Sequence, residues 1–272
     1  MELSLIIVSH NTRSDLENCL QSLHRHPPNL SHDIVVIDNA SHDGSVEAVR
    51  AQWKDVRVIA LERNIGFAGA NNVGIRQSGG ELVLLLNSDT IVPAGAIDRL
   101  VAAMRELPRA SVVGPRIVDA AGVPELSFGR MMSPLAEARQ KLIVRFASSG
   151  RIGAMTSKIR EVDWVSGACL LVRRRDAEAA GLLDERYFMY CEDVDFCAAI
   201  RSNGGKVYFT PASDIVHLRG RSWRTNPAGT AERYRQSQLA FYRKHHPKWA
   251  PLLRLYLGIR GKLPVETADK EG

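Results

Sequence analysis

The chain has 272 residues, of which 45% are hydrophobic and 24% are charged. This composition is typical of folded globular proteins and excludes a disordered or fibrous chain. At roughly 150 residues per domain, the length predicts one large α/β domain or a core domain with an appendage. The four cysteines show no paired CxxC spacing, no basic leader precedes the first apolar run, and no run is long enough to cross a membrane. We therefore expect a reduced, cytoplasmic protein.

Strand and helix patterns alternate through the first 115 residues. Short apolar runs predict strands at 3–8, 33–37, 56–61, 81–86 and 111–114. Between them, apolar residues at helical spacing predict helices at 15–23, 45–52, 64–77 and 93–107. Strands separated by helices indicate βαβ crossovers, so we expect an α/β fold with a mostly parallel central sheet flanked by helices.

The patterns are less regular in the second half. Residues 118–158 show no clear period and predict a mobile connection or a substrate-dependent insertion. Beyond them we expect strand structure within 162–172, helices at 176–180 and 193–202, and a strand at 206–209. The charged tail at 265–272 is expected to be disordered.

The positive charge is concentrated near the C-terminus. Residues 1–218 carry 24 Lys and Arg against 26 Asp and Glu, whereas residues 219–262 carry 11 against one. Such a segment favours an anionic partner, which can be the phosphates of a small molecule, nucleic acid or an anionic membrane surface. The alternative is a solvated basic helix without a partner.

Polar residues follow each of the first four predicted strands. They are Ser9 and Asn11, then Asp38, then Asn64 and Gly66, and finally Asn87 and Asp89. Ligands bind beyond the carboxyl ends of the strands in open parallel sheets, so we expect these loops to form one site. Asp38 directly follows its strand, where its carboxylate can accept hydrogen bonds from a ligand base or sugar. Asp43 and Ser45 lie next to the following helix and are expected to cap it.

The segment around Asp89 has the pattern of a divalent-cation site. Asp89 lies just past a buried strand, and Asn87 presents a second oxygen on the same face, an arrangement that can hold a hard cation on phosphate oxygens. The alternative is a turn stabilised by side-chain hydrogen bonds. No GxGxxG follows a strand and no GxxxxGK[ST] occurs, which disfavours dehydrogenases and P-loop NTPases.

A second acidic cluster begins the predicted helix at 193–202. Glu192, Asp193 and Asp195 fall in its first turn, where negative charge interacts favourably with the helix dipole. Three carboxylates beside Tyr187, Phe188 and Tyr190 exceed what a cap requires. A carboxylate in a partly apolar pocket is suited to act as a general base.

These motifs, in this order, resemble glycosyltransferase family 2, whose members have the GT-A fold. The matching segments are 7–11 (IVSHN), 35–45 (VVIDNASHDGS), 63–74 (RNIGFAGANNVG), 86–89 (LNSD), 164–168 (WVSGA), 192–195 (EDVD) and His217. The amino-acid sequences of these segments look most like those of the rhamnosyltransferase-type members, which build bacterial polysaccharide or cell-wall linkers. The resemblance implies a catalytic domain at 1–218, with a nucleotide-sugar-binding half at 1–115 and an acceptor-binding half at 116–218, followed by a basic helical extension at 219–264.

The resemblance also implies roles for individual residues. Those expected to contact the donor are Ser9, Asn11, Asp38, Arg63, Gly66, Asn71, Asn87, Ser88 and Asp89, with Asp38 on the pyrimidine base. Asp89 would coordinate Mg²⁺ or Mn²⁺ on the diphosphate, and His217 would be a second ligand, touch the phosphates or be structural. Asn87 departs from the acid usual at this position, which puts strict metal dependence in doubt.

On the acceptor side, the resemblance implies that Asp193 is the catalytic base. Trp164, Ser166, Gly167 and Glu192 would shape the acceptor pocket, Trp164 by offering an apolar face to a sugar ring, with core packing as the alternative. The implied reaction is inverting transfer of a sugar, best matched by L-rhamnose from dTDP-rhamnose, to a glycan or a polyprenyl-diphosphate-linked saccharide. The alternatives are a UDP-hexose donor and a non-catalytic nucleotide-sugar or glycan binding protein.

The basic extension has two expected functions in this interpretation. Arg219, Arg221 and Arg224 would close over the diphosphate, and residues 243–262 would lie on an anionic membrane surface at the inner face of the plasma membrane. The alternative for 243–262 is an amphipathic helix packed on the core. Nucleic acid is not an expected partner, because acidic strand-end loops repel its phosphates. A homodimer is left open.

Overall fold

The computed structural model describes residues 1–137, 149–218 and 227–264. The first half alternates strands and helices, as the sequence predicts. Its elements are β1 (Leu3–Ser9), α1 (Arg13–Arg25), β2 (His32–Asp38), α2 (Ser45–Gln52), β3 (Arg57–Ala60), α3 (Gly66–Gln77), β4 (Leu82–Asn87), β5 (Thr90–Ile91), α4 (Ala96–Glu106) and β6 (Ala110–Val118).

The second half supplies shorter strands and the remaining helices. Its elements are β7 (Phe128–Gly129), α5 (Ser149–Met155), β8 (Arg160–Val162), β9 (Trp164–Val165), β10 (Cys169–Arg173), α6 (Arg174–Ala179), α7 (Glu192–Ser202), β11 (Lys206–His217), α8 (Pro227–His245) and α9 (Ala250–Ile259). The stretch expected to be irregular, 118–158, thus contains β7 and α5, and its residues 138–148 lie outside the described part. Residues 219–226, with Arg219, Arg221 and Arg224, and the tail at 265–272 also lie outside it.

The central sheet has a parallel half and a mixed half. Among the described residues its strand order is β3-β2-β1-β4-β10-β6-β11-β5, with β8 pairing on β11. The strands from β3 to β4 are parallel, as expected. β10 lies antiparallel between β4 and β6, so the expectation of a mostly parallel sheet holds best for the first half. The apolar pattern of β10 indicated a buried strand but carries no information on its direction.

Helices cover both faces of the sheet. Leu3, Leu5 and Ile7 of β1 lie in a core cluster with residues of α1, α2 and α4, whereas Ile6 lies in a second cluster with residues of α3, α6 and α7. Successive side chains of a strand point to opposite faces, which explains why a continuous apolar run serves two core layers.

Two features lie beyond the sequence-based prediction. β11 extends to His217 rather than ending at residue 209, because its pairing with β6 resumes after an irregularity between Thr210 and Asp214. α8 and α9 pack against the loop before α7, where Phe241 and Tyr242 join Tyr187 and Val194 in a third apolar cluster. No helix within the three described ranges is long and apolar enough to cross a membrane.

Candidate functional site

The predicted site residues converge at one edge of the sheet. Ser9 is the register partner of Asp38 at the ends of β1 and β2, and Val8 pairs with Asn87 at the end of β4. The prediction that the strand-end loops meet is therefore confirmed for these three loops. The cause is the parallel arrangement of β1, β2 and β4, which brings their carboxyl ends to the same edge.

Asp38 has a carboxylate oxygen available to a ligand. The residue is 2% exposed. Its Oδ2 accepts a hydrogen bond from the Ser41 amide at 2.9 Å, whereas its Oδ1 is buried without a protein partner. A buried carboxylate oxygen without a donor costs free energy, so this atom is suited to accept a hydrogen bond from the N–H of a bound base.

Ser9 and Ser88 are joined through a residue that the sequence analysis did not select. The Thr12 hydroxyl lies 3.0 Å from the Ser9 hydroxyl and 3.0 Å from the Ser88 hydroxyl. This chain of hydroxyls ties the loop after β1 to the loop after β4. The signal for Thr12 was present, because it directly follows the IVSHN motif, but a contact over 76 positions is visible only in the fold.

Asn11 shapes its loop with most of its polar atoms. It has a positive φ of 53°. Its side-chain Oδ1 accepts a hydrogen bond from the backbone amide of His42 at 2.8 Å, and its backbone amide donates to the Ser41 hydroxyl at 2.9 Å. Asn tolerates this left-handed conformation better than most residues. Asn11 therefore holds the loops after β1 and β2 together.

Asp43 acts as a cap, as expected, and does so for two helices. Its carboxylate accepts hydrogen bonds from the amides of Ser45 at 3.1 Å and Arg13 at 2.8 Å, the first residues of α2 and α1. Partial burial raises the pKa of Asp43, but these bonds and the one from the Ser45 hydroxyl outweigh it and leave the pKa below its ordinary value. Each helix N-terminus thereby gains an acceptor for an otherwise unpaired amide.

Asn39 and Gly66 join the second and third loops. The Asn39 side chain donates to the Gly66 carbonyl at 3.1 Å and accepts from the Ile65 amide at 2.9 Å. Gly66 has a φ of 81°, and a Cβ there would lie 2.5 Å from the Phe188 carbonyl oxygen. Only glycine permits both the conformation and this close approach. Asn39 was missed because its neighbour Asp38 has the more obvious ligand chemistry.

Arg63, in the loop before α3, and Asn71, within α3, differ in burial. Asn71 is 1% exposed, donates to the Phe67 carbonyl at 2.9 Å and leaves its Oδ1 buried without a protein partner. Arg63 is exposed. Asn71 thus resembles Asp38 in having a buried acceptor atom for a ligand, whereas Arg63 offers a solvated positive charge beside the same loop.

The candidate cation ligands lie together. The Asp89 Oδ1 is 3.1 Å from the His217 Nε2, because the end of β11 pairs with β5 and sets His217 opposite Thr90. The Oδ1 of Asn87 and the Nδ1 of His217 are buried without protein partners. Carboxylate and imidazole are ligands that Mn²⁺ accepts, and the oxygens of a diphosphate would complete its shell. The residues therefore fit a divalent cation bound jointly with a ligand, although the described ranges hold no group of three or more His, Cys, Asp and Glu suited to a metal.

Asp193 is held as a hydrogen-bond acceptor at the beginning of α7. Its Oδ2 accepts from the Gly167 amide at 2.9 Å and its Oδ1 accepts from the Val194 amide at 2.8 Å. Burial raises the pKa of Asp193 above its ordinary value, although these backbone hydrogen bonds oppose the shift. A half-buried carboxylate with a raised pKa has the properties required of a general base.

Glu192 is more deeply buried than Asp193. It is 6% exposed and its Oε2 is buried without a protein partner. Burial, and then the negative charge of Asp193, raise the pKa of Glu192 well above its ordinary value. Two adjacent carboxylates in a low-dielectric site do not ionise equally, so Asp193, which receives two amide hydrogen bonds, is the anionic member of the pair.

Asp195, the third acid of the cluster, makes structural contacts with neighbouring side chains. It is 2% exposed. Its carboxylate binds Lys244 at 2.8 Å and His245 at 2.6 Å, both on α8, and accepts from the Tyr187 hydroxyl at 3.2 Å. Asp184 also binds Lys244, at 2.8 Å. We call Asp184, Tyr187, Asp195, Lys244 and His245 the α7–α8 ion cluster; it connects the C-terminal helices to the helix that carries Asp193.

Trp164 and Ser166 make mainly structural contacts. The Trp164 indole donates to the Arg130 carbonyl at 2.9 Å, its ring packs on Gly129, and it contacts the second and third apolar clusters. Ser166 binds the Ser127 carbonyl through its amide and the Ala168 amide through its hydroxyl. These contacts favour core packing for Trp164, and a direct role of either residue in acceptor binding stays a prediction.

One cavity lies away from these residues. It has a volume of about 530 Å³ and lies at the opposite edge of the sheet, near the beginnings of β6 and β11. Its Arg109 and Arg173 already donate to the carbonyls of Gly204, Ala110 and Met104. The cavity is therefore not part of the candidate site.

Comparisons with known proteins identify the family of the chain. The model of the family "Glycosyl transferase family 2" matches residues 4–175. The chain is 30% identical to the N-acetylglucosaminyl-diphospho-decaprenol L-rhamnosyltransferase of Mycobacterium tuberculosis, over 98% of this chain and 94% of the relative. It is 29% identical to the low-salt glycan biosynthesis hexosyltransferase Agl10 of Haloferax volcanii, over 79% and 67%.

Solved structures show the same fold at lower identity. The mannosyltransferase PcManGT of Pyrobaculum calidifontis, solved with GDP-Man and Mn²⁺, matches 93% of this chain and 68% of its own with a TM-score of 0.63 at 18% identity. GalNAc-T7, solved with UDP, GalNAc and Mn²⁺, matches 97% of this chain with a TM-score of 0.63 at 20% identity, and this chain spans 58% of its length. The fold is thus of the GT-A type. The chain belongs to glycosyl transferase family 2, and it is a glycosyltransferase of the rhamnosyltransferase-like kind.

Proposed function

We propose that the chain transfers L-rhamnose from dTDP-rhamnose to a polyprenyl-diphosphate-linked saccharide that ends in N-acetylglucosamine, with inversion at the anomeric carbon. The observation that supports glycosyl transfer is the Asp193 carboxylate, held by the Gly167 amide and paired with Glu192. The choice of sugar and acceptor is supported by the similarity to the Mycobacterium tuberculosis rhamnosyltransferase, which covers nearly the whole length of both chains.

At the donor end, the loops after β1, β2 and β4 bind the nucleotide. The unpartnered Oδ1 of Asp38 accepts a hydrogen bond from the pyrimidine N–H. The hydroxyl chain of Ser9, Thr12 and Ser88 fixes the loops around the ribose and diphosphate. Gly66 and Asn39 hold the third loop close enough for Asn71 and Arg63 to border the donor.

A divalent cation, Mg²⁺ or Mn²⁺, would be bound by Asp89 and His217 together with the diphosphate, and would neutralise charge on the leaving group. The unpartnered Oδ1 of Asn87 is a neutral ligand in the same loop. Because an amide oxygen binds a hard cation less strongly than a carboxylate, we expect weaker cation binding than two acids would give.

At the acceptor end, Asp193 removes the proton from the attacking hydroxyl of the acceptor sugar. The hydroxyl oxygen forms the new bond to the anomeric carbon on the face opposite the leaving nucleoside diphosphate, so a β-linked donor gives an α-L-rhamnoside. Burial, and then the charge of Asp193, raise the pKa of Glu192; this favours its protonated form and leaves Asp193 as the group that accepts the proton. Gly167 orients the base through its amide.

Transfer assays with four donors test this proposal. We would supply dTDP-rhamnose, UDP-glucose, UDP-galactose or UDP-N-acetylglucosamine with an N-acetylglucosaminyl-diphospho-prenol acceptor, in Mg²⁺ or EDTA. Transfer from dTDP-rhamnose that EDTA abolishes is the expected result. Turnover of a UDP-sugar alone would refute the rhamnosyl assignment, and full activity in EDTA would refute the cation.

A substitution of Asp193 tests its role as the catalytic base. Asp193→Asn should lower kcat by about 10²–10⁴ while leaving the Kd for dTDP-rhamnose, measured by calorimetry, nearly unchanged, because only proton removal is lost. The control is Glu47→Gln, an exposed acid on α2 away from the site, which should retain full activity. Normal kcat in Asp193→Asn would show that another group is the base.

A further inference from the structure

α9 presents an apolar stripe to solvent. Six large hydrophobic residues in or beside this helix are between 42% and 77% exposed, namely Trp249, Leu252, Leu255, Tyr256, Ile259 and Leu263. They recur at intervals of three and four residues and so lie on one side of the helix. The opposite side holds Leu253 and Leu257, of which Leu257 is 1% exposed and Leu253 packs on the third apolar cluster. The helix is thus apolar on both sides, although within the described residues only one side packs against the rest of the chain.

Basic residues flank the exposed stripe. Lys248, Arg260 and Lys262 are all exposed, and no Asp or Glu occurs between Glu232 and Glu266. The guanidinium of Arg260 lies 5.9 Å from the centre of the Tyr256 ring, so the charge is next to the stripe. An apolar stripe between cationic side chains complements a surface that has an apolar interior and anionic groups at its edge.

We propose that this stripe binds the surface of a bilayer that contains anionic lipids, with α9 parallel to the membrane plane. The stripe enters the boundary between headgroups and acyl chains, and the side chains of Lys248, Arg260 and Lys262 contact lipid phosphates. A second copy of the chain is a poorer occupant, because an isologous contact would bring the same basic residues together without an acid to pair with them.

The position of α9 gives this contact a consequence for catalysis. Leu253 packs on the apolar cluster that contains Tyr187 and Val194, the latter being next to Asp193 in sequence. The membrane would therefore lie against the acceptor half of the molecule. Membrane binding itself does not depend on the proposed function, but an acceptor anchored by a polyprenyl chain would reach the base from this side.

Co-sedimentation of the full chain with lipid vesicles tests the proposal. We would use vesicles of phosphatidylcholine alone and of phosphatidylcholine with phosphatidylglycerol at about three to one. Binding to the mixed vesicles should exceed binding to the neutral ones by at least about tenfold, since each basic residue near an anionic surface contributes roughly fivefold. Equal or absent binding to both kinds of vesicle would overturn the proposal.

Two variants and a control locate the contact. Leu255→Ser with Ile259→Ser should lower vesicle binding by at least about tenfold, and Lys248→Glu with Lys262→Glu should remove the preference for anionic lipid. Ile159→Ser changes another exposed hydrophobic residue, one far from α9 in sequence, and should bind as the unmodified chain does. Wild-type binding in both double variants would refute the proposed surface.

The same variants separate membrane binding from catalysis. With a short-chain, water-soluble acceptor, Leu255→Ser with Ile259→Ser should keep its kcat, whereas transfer to an acceptor in vesicles should fall with binding. If the variants change vesicle binding as predicted and no donor is turned over, only the proposed function fails. If the serine variant instead turns a dimer into a monomer in sedimentation velocity and leaves vesicle binding unchanged, the stripe is an interface between copies.

Discussion

The acidic pair at the beginning of α7 shows how burial divides roles between neighbouring residues. Glu192 and Asp193 are adjacent in sequence and similar in chemistry, yet Asp193 accepts two backbone hydrogen bonds while Glu192 leaves an oxygen unpartnered. Burial raises the pKa of both carboxyls, and the charge of Asp193 raises that of Glu192 further. The result is one group suited to accept a proton and one suited to keep its own.

Glu192→Gln should change the pH dependence of stability. The folded pKa of Glu192 is raised, so the folded chain binds this proton more tightly than the unfolded chain does. The stability that this carboxyl contributes to the folded chain is fully present below its ordinary pKa of 4.5. That contribution is lost as the pH rises through the folded pKa. Gln does not titrate, so the variant should gain stability relative to the unmodified chain as the pH rises above the ordinary pKa.

Thermal unfolding from mildly acidic to mildly alkaline pH measures this gain. Glu47→Gln, which changes the exposed acid on α2, is the control for replacing a surface carboxyl by an amide. A Glu192→Gln difference that does not grow with pH would contradict the raised pKa. This prediction depends on the burial of Glu192 in the fold. The sequence alone shows only that Glu192 lies in a typical acidic first turn of a helix.

At the scale of elements, loops that carry the site are fixed by contacts between loops. Asn39 joins the loop after β2 to the beginning of α3, and the amide of Phe67 donates to the Phe188 carbonyl at 2.7 Å. Gly66 permits this approach. The strands and helices themselves were predictable, because their apolar periodicity is local, whereas these contacts join residues that are 27 positions apart for Asn39 and Gly66 and more than a hundred apart for Phe67 and Phe188.

Gly66→Ala tests the approach of the two loops. The change combines a strained φ with a Cβ that would lie 2.5 Å from the Phe188 oxygen. We expect a loss of about 2–4 kcal/mol in the free energy of unfolding and weaker donor binding. Gly122→Ala is matched in φ, at 78°, but has no atom within 4 Å, so it should lose about 1 kcal/mol. Equal losses, measured by urea denaturation, would show that the contact with Phe188 is unimportant.

The α7–α8 ion cluster ties two elements that are distant in sequence. Asp195→Asn leaves Lys244 and His245 facing a neutral amide in a buried position, so we expect a loss of about 3 kcal/mol. Asp55→Asn breaks a comparable contact with His24, at 3.0 Å, that is largely exposed, and should cost less than about 1 kcal/mol. Similar losses in both variants, measured by chemical denaturation, would contradict a structural role for the cluster.

At the scale of the whole molecule, the C-terminal helices are part of the folded core. Phe241 is fully buried and Tyr242 nearly so, both against the cluster that contains Tyr187. The division of the chain that was made from the sequence treats residues 219–264 as an extension, because their basic composition differs from that of residues 1–218. The contacts of α8 indicate that the extension and the acceptor half unfold together.

A chain that ends at residue 218 should show this dependence. It would expose the apolar cluster around Tyr187 and leave Asp195 without Lys244 and His245. We expect calorimetry of the full chain to give one cooperative transition, and the shortened chain to unfold at least about 5 °C lower or to aggregate. Two separate transitions, with the first part as stable alone, would mean that the extension is an independent unit.

The sequence by itself determined the local features of this protein. Apolar periodicity predicted the helices and the parallel strands of the first half, and the positions of Asp38, Asp89 and Asp193 identified the candidate site through their place at the ends of strands or the beginning of a helix. These features can be predicted from the sequence because they depend on residues that are neighbours in the chain. The direction of the strands in the second half cannot be predicted in this way, since β10 pairs with β4 and β6 across long separations in sequence.

Tertiary structure decided what each polar side chain does. Of three acids in one helical turn, Asp193 is held by Gly167, Glu192 is buried without a partner for one oxygen, and Asp195 is paired with α8. Likewise, only the packing of Leu253 and Leu257 shows which side of α9 is left to solvent. Burial and long-range partners set the free energy of each charge, and neither is a property of the residue type or of its neighbours in the chain.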